Sequence, residues 1–276
     1  MTISIGLMMF PALMIFIFIG FPVAFSLMGV AVLFGYLRFG DLLVHQLVAK
    51  VDDVASYYVL SAVPLFIFMG CMLEKSGISE KLFEAMHLIT RKLPGGLAVA
   101  TIILCVFFAA ASGVVGAAES VVGLMVITVM LRHGYNKGLI SGTICAGGSL
   151  GTIIPPSVVV VILSPIAGVG VGNLFVGIMI PGLILAALYI FYILIRCIIW
   201  PNDGPSDHTE TQNCSLIHNI WIIISALVPL LTLIFSVLGS IMLGWATPTE
   251  AGAMGALGTI FLTILYRTFK FSFLSE

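Results

Sequence analysis

The sequence predicts an all-α polytopic membrane protein, and three observations carry that prediction. Hydrophobic residues make up 61% of the chain and charged residues only 8%. The mean hydropathy is +1.23. The apolar stretches are long and continuous rather than alternating. Water-soluble domains sit near ~45–50% apolar and ~25% charged, so a chain of 276 residues with so few charges cannot cover a surface facing water. In lipid, only helices and closed barrels satisfy every backbone group. A barrel needs strands of about ten residues with dyad alternation, and no such pattern is found, which leaves helices.

The net charge of −1 speaks against a nucleic-acid partner. Cys71, Cys105, Cys145, Cys197 and Cys214 are scattered, form no CxxC pair, and read as small buried hydrophobes. Met1 to Ser4 carries no basic region, and no small-residue cleavage site follows, so no cleavable signal peptide is expected.

The first apolar stretch runs from Ile3 to Leu37 and is interrupted at Gly20-Phe21-Pro22. It is either one long kinked helix or a tight pair of helices. Residues 41–56 mix His45, Lys50, Asp52 and Asp53 with Leu and Val, which suits an interfacial amphipathic helix. Residues 57–74 return to the membrane, with Pro64 inside. Residues 78–92 set Leu82, Phe83, Met86 and Ile89 against Glu80, Lys81, Glu84, Arg91 and Lys92. That pattern predicts an arm lying along the membrane plane.

Residues 97–111 and 114–131 are apolar and flank Ser112-Gly113. Fifteen helical residues reach only ~22 Å at ~1.5 Å each, short of a ~30 Å core. The length and the break together predict a re-entrant hairpin with its tip at Ser112-Gly113. Residues 138–150 form a short glycine-rich helix that meets Gly151-Thr152-Ile153-Ile154-Pro155-Pro156-Ser157. Two adjacent prolines remove two backbone donors and push each preceding residue out of α geometry. The helix is therefore expected to open over Gly151–Ser157 and to resume over 157–167.

Beyond the break, a long helix over 174–199 returns across the membrane. Residues 201–214 are polar, carry two prolines and form the one clear extramembrane loop. Residues 217–243 span again, and Thr247-Pro248-Thr249-Glu250 opens a last helix to about Tyr266 as a capping box with proline at its first position. Arg91, Lys92, Arg132, Lys137 and Arg196 fall on one side in this layout, and the positive-inside rule makes that side cytoplasmic.

Two interrupted apolar segments thus lie close together in sequence. Broken helices expose N-termini whose dipoles favour anions, and freed carbonyls that coordinate sodium. Proline kinks are common in membrane helices, so each break alone can be a packing feature; the two together favour a binding site made from backbone groups over packing breaks. Glu119 lies just past the tip within an apolar helix, where an acid is a functional candidate by default; it serves as a coupling or proton site, faces a partner hydroxyl, or sits at the cavity edge. The small-residue spacings Gly142/Ala146 and Gly147/Gly151 read as close helix packing. His87 and His133 are expected to face headgroups or water. His45, His208 and His218 show no metal-ligand spacing, and no HExxH or GxSxG motif points to an enzyme.

The stretches Ala111–Ala117, Gly134-Tyr135-Asn136-Lys137, Ala146–Ser157, Val171–Phe175, Ile180–Leu183 and Thr247–Ala251 resemble, in order and spacing, the large membrane subunit of a tripartite ATP-independent periplasmic (TRAP) transporter. The resemblance implies an elevator-type, sodium-coupled importer of small carboxylate solutes such as C4-dicarboxylates and sugar acids. Its partners would be a small four-helix membrane subunit and a periplasmic solute-binding protein, in the bacterial inner membrane.

Carried over by position, the sodium ion would be held by Ser112, Val115, Gly151, Ile154 and Pro156, mostly through backbone oxygens, with no other metal or cofactor. Gly113, Pro155, Ser157 and Glu119 would line the substrate cavity. The resemblance assigns 1–92 to scaffold helices and arm. It assigns 97–168 to the transport element, with the hairpin at 97–131 and the broken helix at 138–167. A membrane helix at 172–200, a polar loop at 201–216, and the start of a second, incomplete repeat at 217–276 complete the layout. Where many members carry a second hydroxyl, this chain has Val114-Val115, so a carbonyl takes the place of that ligand. The chain is expected to hold the first repeat and the opening of the second. A related carrier that needs no binding protein and a truncated, non-transporting remnant are the competing readings.

Overall fold

A computed structural model describes residues 2–113, 115–205 and 216–266, with their side chains except those of residues 2–5, 112, 115–118, 121, 216–220 and 222. Among the described residues the chain is helices and turns without strands. It divides into two units, residues 1–58 and 59–276.

In the first unit, α1 (Thr2–Ile19) and α2 (Val23–Phe39) resolve the open reading of the N-terminal stretch as a pair of helices. Gly20 takes φ +101° and Pro22 stands immediately before α2, so the chain reverses where glycine permits a positive φ. The helix α3 (Leu42–Ala55) packs on α2, with the Leu43 side chain filling the space where a Cβ at Gly35 would stand 2.6 Å away.

The second unit opens with a single 3₁₀ turn, Tyr58–Ser61, and α4 (Ala62–Lys75). Pro64 falls in the first turn of α4, where its missing donor has no helical acceptor to serve. The amphipathic helix α5 (Ile78–Thr90) buries Ile78, Leu82, Phe83 and Met86 and packs against α6 (Gly96–Ser112) and α11 (Leu216–Ile234). The hairpin follows as α6 and α7 (Val115–Arg132), and then α8 (Lys137–Ile153) and α9 (Val158–Ala167). A bend of 42° separates α8 from α9.

The long helix α10 (Val171–Ile199) begins three residues earlier than its apolar core suggests. The helix α11 runs through a π-turn at Phe235–Gly239 into α12 (Ser240–Met242), and α13 (Pro248–Leu265) packs mainly on α4. Among the described residues, four helices are long and apolar enough to cross a membrane, or five when α8 and α9 count as one bent span. The core centres on α6: Leu97, Ala98, Ala100, Ile102, Leu104, Phe108 and Ala109 are fully or almost fully buried. The outward faces stay apolar, as with Phe191 and Phe261, the inverse of a water-soluble surface.

The N-terminal capping box of α13 is present: the Thr247 amide donates to Glu250 Oε2 at 2.7 Å and the Glu250 amide to Thr247 Oγ1 at 3.4 Å. Three readings need correction. Cys105 and Cys197 are buried, but Cys71 and Cys145 are exposed, on faces where an apolar thiol can meet lipid. His87 and His133 do not both look outward; their rings meet edge to face with centroids 6.4 Å apart, and His87 also stacks on Phe83. The α8 helix continues through Gly151 to Ile153, so the opening is narrower than Gly151–Ser157. Of the polar loop, residues 206–215, including Cys214 and His208, lie outside the described residues, as does the chain beyond 266.

Candidate functional site

The break between α8 and α9 follows from its prolines. A proline at 155 cannot donate to the carbonyl of Gly151, nor a proline at 156 to that of Thr152. Ile154, placed before Pro155, is driven to φ −80°, ψ 123°, the extended geometry that a following proline demands. Ser157 is likewise extended. Its hydroxyl donates to the Thr152 carbonyl at 2.8 Å, replacing the donor that Pro156 lacks. Gly151 keeps a carbonyl whose own i+4 donor is gone. The Pro155–Pro156 bond is cis. Ser157 is 0% exposed and Ile154 5% exposed, and Ile154 lies against Gly182 of α10, where an added Cβ would meet its side chain at 3.2 Å.

The hairpin ends on this break. Gly113 closes α6 in the left-handed region, φ +62°, with its amide donating to the Ala109 carbonyl at 3.1 Å, a helix end that glycine favours. The same residue sits so close to the broken helix that a Cβ would overlap the Pro156 carbonyl oxygen. The Val158 amide donates back to the Gly113 carbonyl at 3.4 Å. Glycine is thus required twice at one position, for its φ and for its lack of a side chain.

Depth follows from connectivity. The Leu97 amide donates to the Tyr135 hydroxyl at 3.2 Å, so α6 starts where α8 starts. The tip of α6 meets the end of α8. The hairpin therefore runs alongside the first half of the bent pair α8–α9 and ends at its bend.

Four helix ends converge here. The C-termini of α6 and α8 present carbonyls, and the N-termini of α7 and α9 carry the positive ends of their dipoles. Such a cluster can hold a cation and a carboxylate side by side without a buried charged side chain. Of the sequence candidates, Gly113, Ile154, Pro155, Pro156 and Ser157 come together at this point, with Gly151 one turn below in α8. Glu119 does not join them: it packs against α8 at Gly148, where a Cβ would overlap its side chain, roughly 9 Å along the helix from Ile154. The side chains of Ser112 and Val115, and residue 114 entirely, lie outside the described residues.

The model of the tripartite ATP-independent periplasmic transporter, DctM component, matches residues 10–276. The chain belongs to this family. It is 32% identical over 232 residues to the C4-dicarboxylate TRAP transporter large permease protein DctM of Pseudomonas aeruginosa, covering 83% of this chain and 52% of that protein. It is 32% identical over 245 residues to the isethionate TRAP transporter permease protein DctMQ of Oleidesulfovibrio alaskensis, covering 88% and 37%. It is 28% identical over 258 residues to the sialic acid TRAP transporter large permease protein SiaM of Vibrio cholerae, covering 91% and 57%. The chain spans about half the length of the curated relatives it matches.

One residue set escaped the sequence reading. At the far end of α8, Asn136 caps the helix by accepting from the Gly138 amide at 2.8 Å and donates through Nδ2 to Asp203 at 2.9 Å. Arg196 Nε donates to the same carboxylate at 3.0 Å, and the Gly95 amide donates to the Gly204 carbonyl at 3.1 Å. The short loop after α10 thereby fastens the bases of α6, α8 and α10 together. The asparagine directly before Lys137-Gly138 was the one readable signal for it.

Proposed function

We propose that the chain works as part of the membrane permease of a sodium-coupled importer of small organic anions in the bacterial inner membrane. The contact between the hairpin tip at Gly113 and the broken helix at Pro156 carries this reading. Sodium sits among the carbonyls at the ends of α6 and α8, with Ser112, Val115, Gly151, Ile154 and Pro156 as ligands. Gly151 suits the role because Pro155 leaves its oxygen without a helical donor. The carboxylate of the solute lies toward the N-termini of α7 and α9, in a cavity bordered by Gly113, Pro155 and Ser157, with Glu119 at its lower edge. The ion and the anion screen each other, so each binds better in the presence of the other, which couples solute entry to the sodium gradient.

A small four-helix membrane subunit and a periplasmic solute-binding protein complete the system, the latter delivering the solute. The relatives handle C4-dicarboxylates, isethionate and sialic acid by their names, and all of these are small organic anions. The hairpin and broken helix form the moving element, and the helices before them the scaffold.

The test is uptake by the complete complex as sodium is varied. Pro156→Ala returns a donor to the Thr152 carbonyl, and Gly151→Leu crowds the opening; both are expected to raise the sodium concentration needed for half-maximal uptake by tenfold or more. Unchanged sodium dependence in both variants rejects the site. Uptake that persists without any binding protein would favour a carrier that acts independently of one.

A further inference from the structure

A cavity lies on the same bundle, well away from the break. It measures about 280 Å³ and is lined by Ile102 of α6, by Gly138, Gly142, Thr143 and Ala146 of α8, and by Tyr189, Tyr192 and Arg196 of α10. Thr143 and Ile154 are eleven residues apart on α8, so the cavity sits roughly 16 Å along the helix from the opening.

Three features distinguish it from a packing defect. First, a Cβ at Gly142 would meet nothing within 4 Å, so Gly142 and Ala146 hold a groove open rather than bringing two helices together as their spacing suggests. Second, Thr143 is 3% exposed and its hydroxyl has no hydrogen-bond partner among the described residues. A buried hydroxyl without a partner costs free energy, and this one belongs to a residue of the cavity wall, with its oxygen covered in the groove. Third, the groove leads at the base of the bundle into a shallower cavity of about 550 Å³ that shares Tyr192 and Arg196 and adds Trp200 and Asp203.

We infer that this groove is a binding site for one anionic phospholipid of the adjoining leaflet. The apolar floor takes an acyl chain, and the exposed Leu188, Phe191 and Ile195 of α10 border it on the lipid side. A change of the Thr143 rotamer turns its hydroxyl, unpartnered among the described residues, to an ester oxygen. The phosphate sits at the mouth, near Arg196 and the N-terminus of α8, whose first turn includes Gly138.

Charge complementarity selects the anionic headgroup. Arg91 and Lys92 precede α6, Arg132 and Lys137 flank the turn into α8, and Arg196 lies near the end of α10, so five basic residues stand at the joined bases of these helices, with Asp203 paired to Arg196. Arg196 Nε is committed to Asp203 and its Nη1 to the Tyr192 hydroxyl at 2.9 Å. The guanidinium is thereby held in place at the mouth, with its remaining donors left for a phosphate.

The experiment is native mass spectrometry of the full chain in neutral detergent, with added phosphatidylglycerol, phosphatidylcholine or inorganic phosphate. One phosphatidylglycerol is expected to be retained roughly fivefold more than phosphatidylcholine. Gly142→Leu fills the groove without a clash and is expected to lower that retention on the order of tenfold. Thr143→Val keeps the side-chain shape and lowers it a few-fold. Arg196→Gln abolishes the preference for phosphatidylglycerol over phosphatidylcholine. Melting temperatures close to wild type for Gly142→Leu and Thr143→Val confirm that these two variants fold. Equal retention of the two lipids, or retention unchanged by both of these variants, overturns the proposal. Displacement of the lipid by inorganic phosphate also overturns it, because the site would then be a headgroup-sized anion pocket.

Discussion

Replacing Gly113 by alanine tests the meeting of hairpin and broken helix directly. The left-handed backbone at φ +62° costs an alanine about 1–2 kcal/mol. The new methyl group also overlaps the Pro156 carbonyl, and relief of such overpacking costs a further ~1–3 kcal/mol. Gly168 supplies the control. It ends α9 at φ +66°, nearly the same conformation, and a Cβ there meets nothing within 4 Å. The backbone term cancels between the two variants, and their difference isolates the contact. At ~2–4 °C per kcal/mol for a chain of this size, Gly113→Ala should melt about 2–12 °C below Gly168→Ala. Thermal unfolding of the purified chain in detergent, followed by tryptophan fluorescence, measures this. Equal melting temperatures would refute the contact and with it the convergence of the four helix ends.

Further predictions concern the supports of the site. Gly148→Ala should destabilise the chain by about 1–3 kcal/mol through overlap with Glu119, and most of that loss should vanish in a Glu119→Ala background; simple additivity in a double-mutant cycle would show that the two do not touch. Asp203→Ala removes acceptors from Arg196 and Asn136 and should cost about 1–2 kcal/mol, with faster hydrogen exchange at the Gly95 and Asn136 amides; unaltered exchange would mean that the loop fastens nothing. Thr247→Val breaks the capping box and should cost about 1 kcal/mol, visible as a lower melting temperature that Glu250→Gln reproduces in part.

Local chemistry made much of this legible in advance. Pro155-Pro156 dictates where the helix opens whatever surrounds it, and Thr247-Pro248-Thr249-Glu250 writes a helix start in four letters. The turn between α6 and α7 was readable because two apolar segments meet at Ser112-Gly113. Features set by distant neighbours were not readable. The spacing of Gly142 and Ala146 says that something comes near or that nothing does, and only the position of α10 decides between them. The proline pair says that the helix opens but not how far back, and it acts from Ile154 onward and leaves Gly151 helical. His87 and His133 are separated by the whole hairpin in sequence, and no local pattern announces that their rings meet. The π-turn at Phe235–Gly239 carries no proline or other local marker.

The fastening of α6, α8 and α10 by the loop at Pro201–Pro205 has a consequence for how the protein is made. The hairpin tip leaves the ribosome roughly ninety residues before that loop does, an interval on the order of 5–20 s at ordinary elongation rates. During that time the two apolar helices α6 and α7 exist without the broken helix they rest on, and without the clasp at their base. The contacts that order the hairpin tip and its base therefore form only after α8 to α10 have been made, so this part of the fold is completed late relative to its place in the chain.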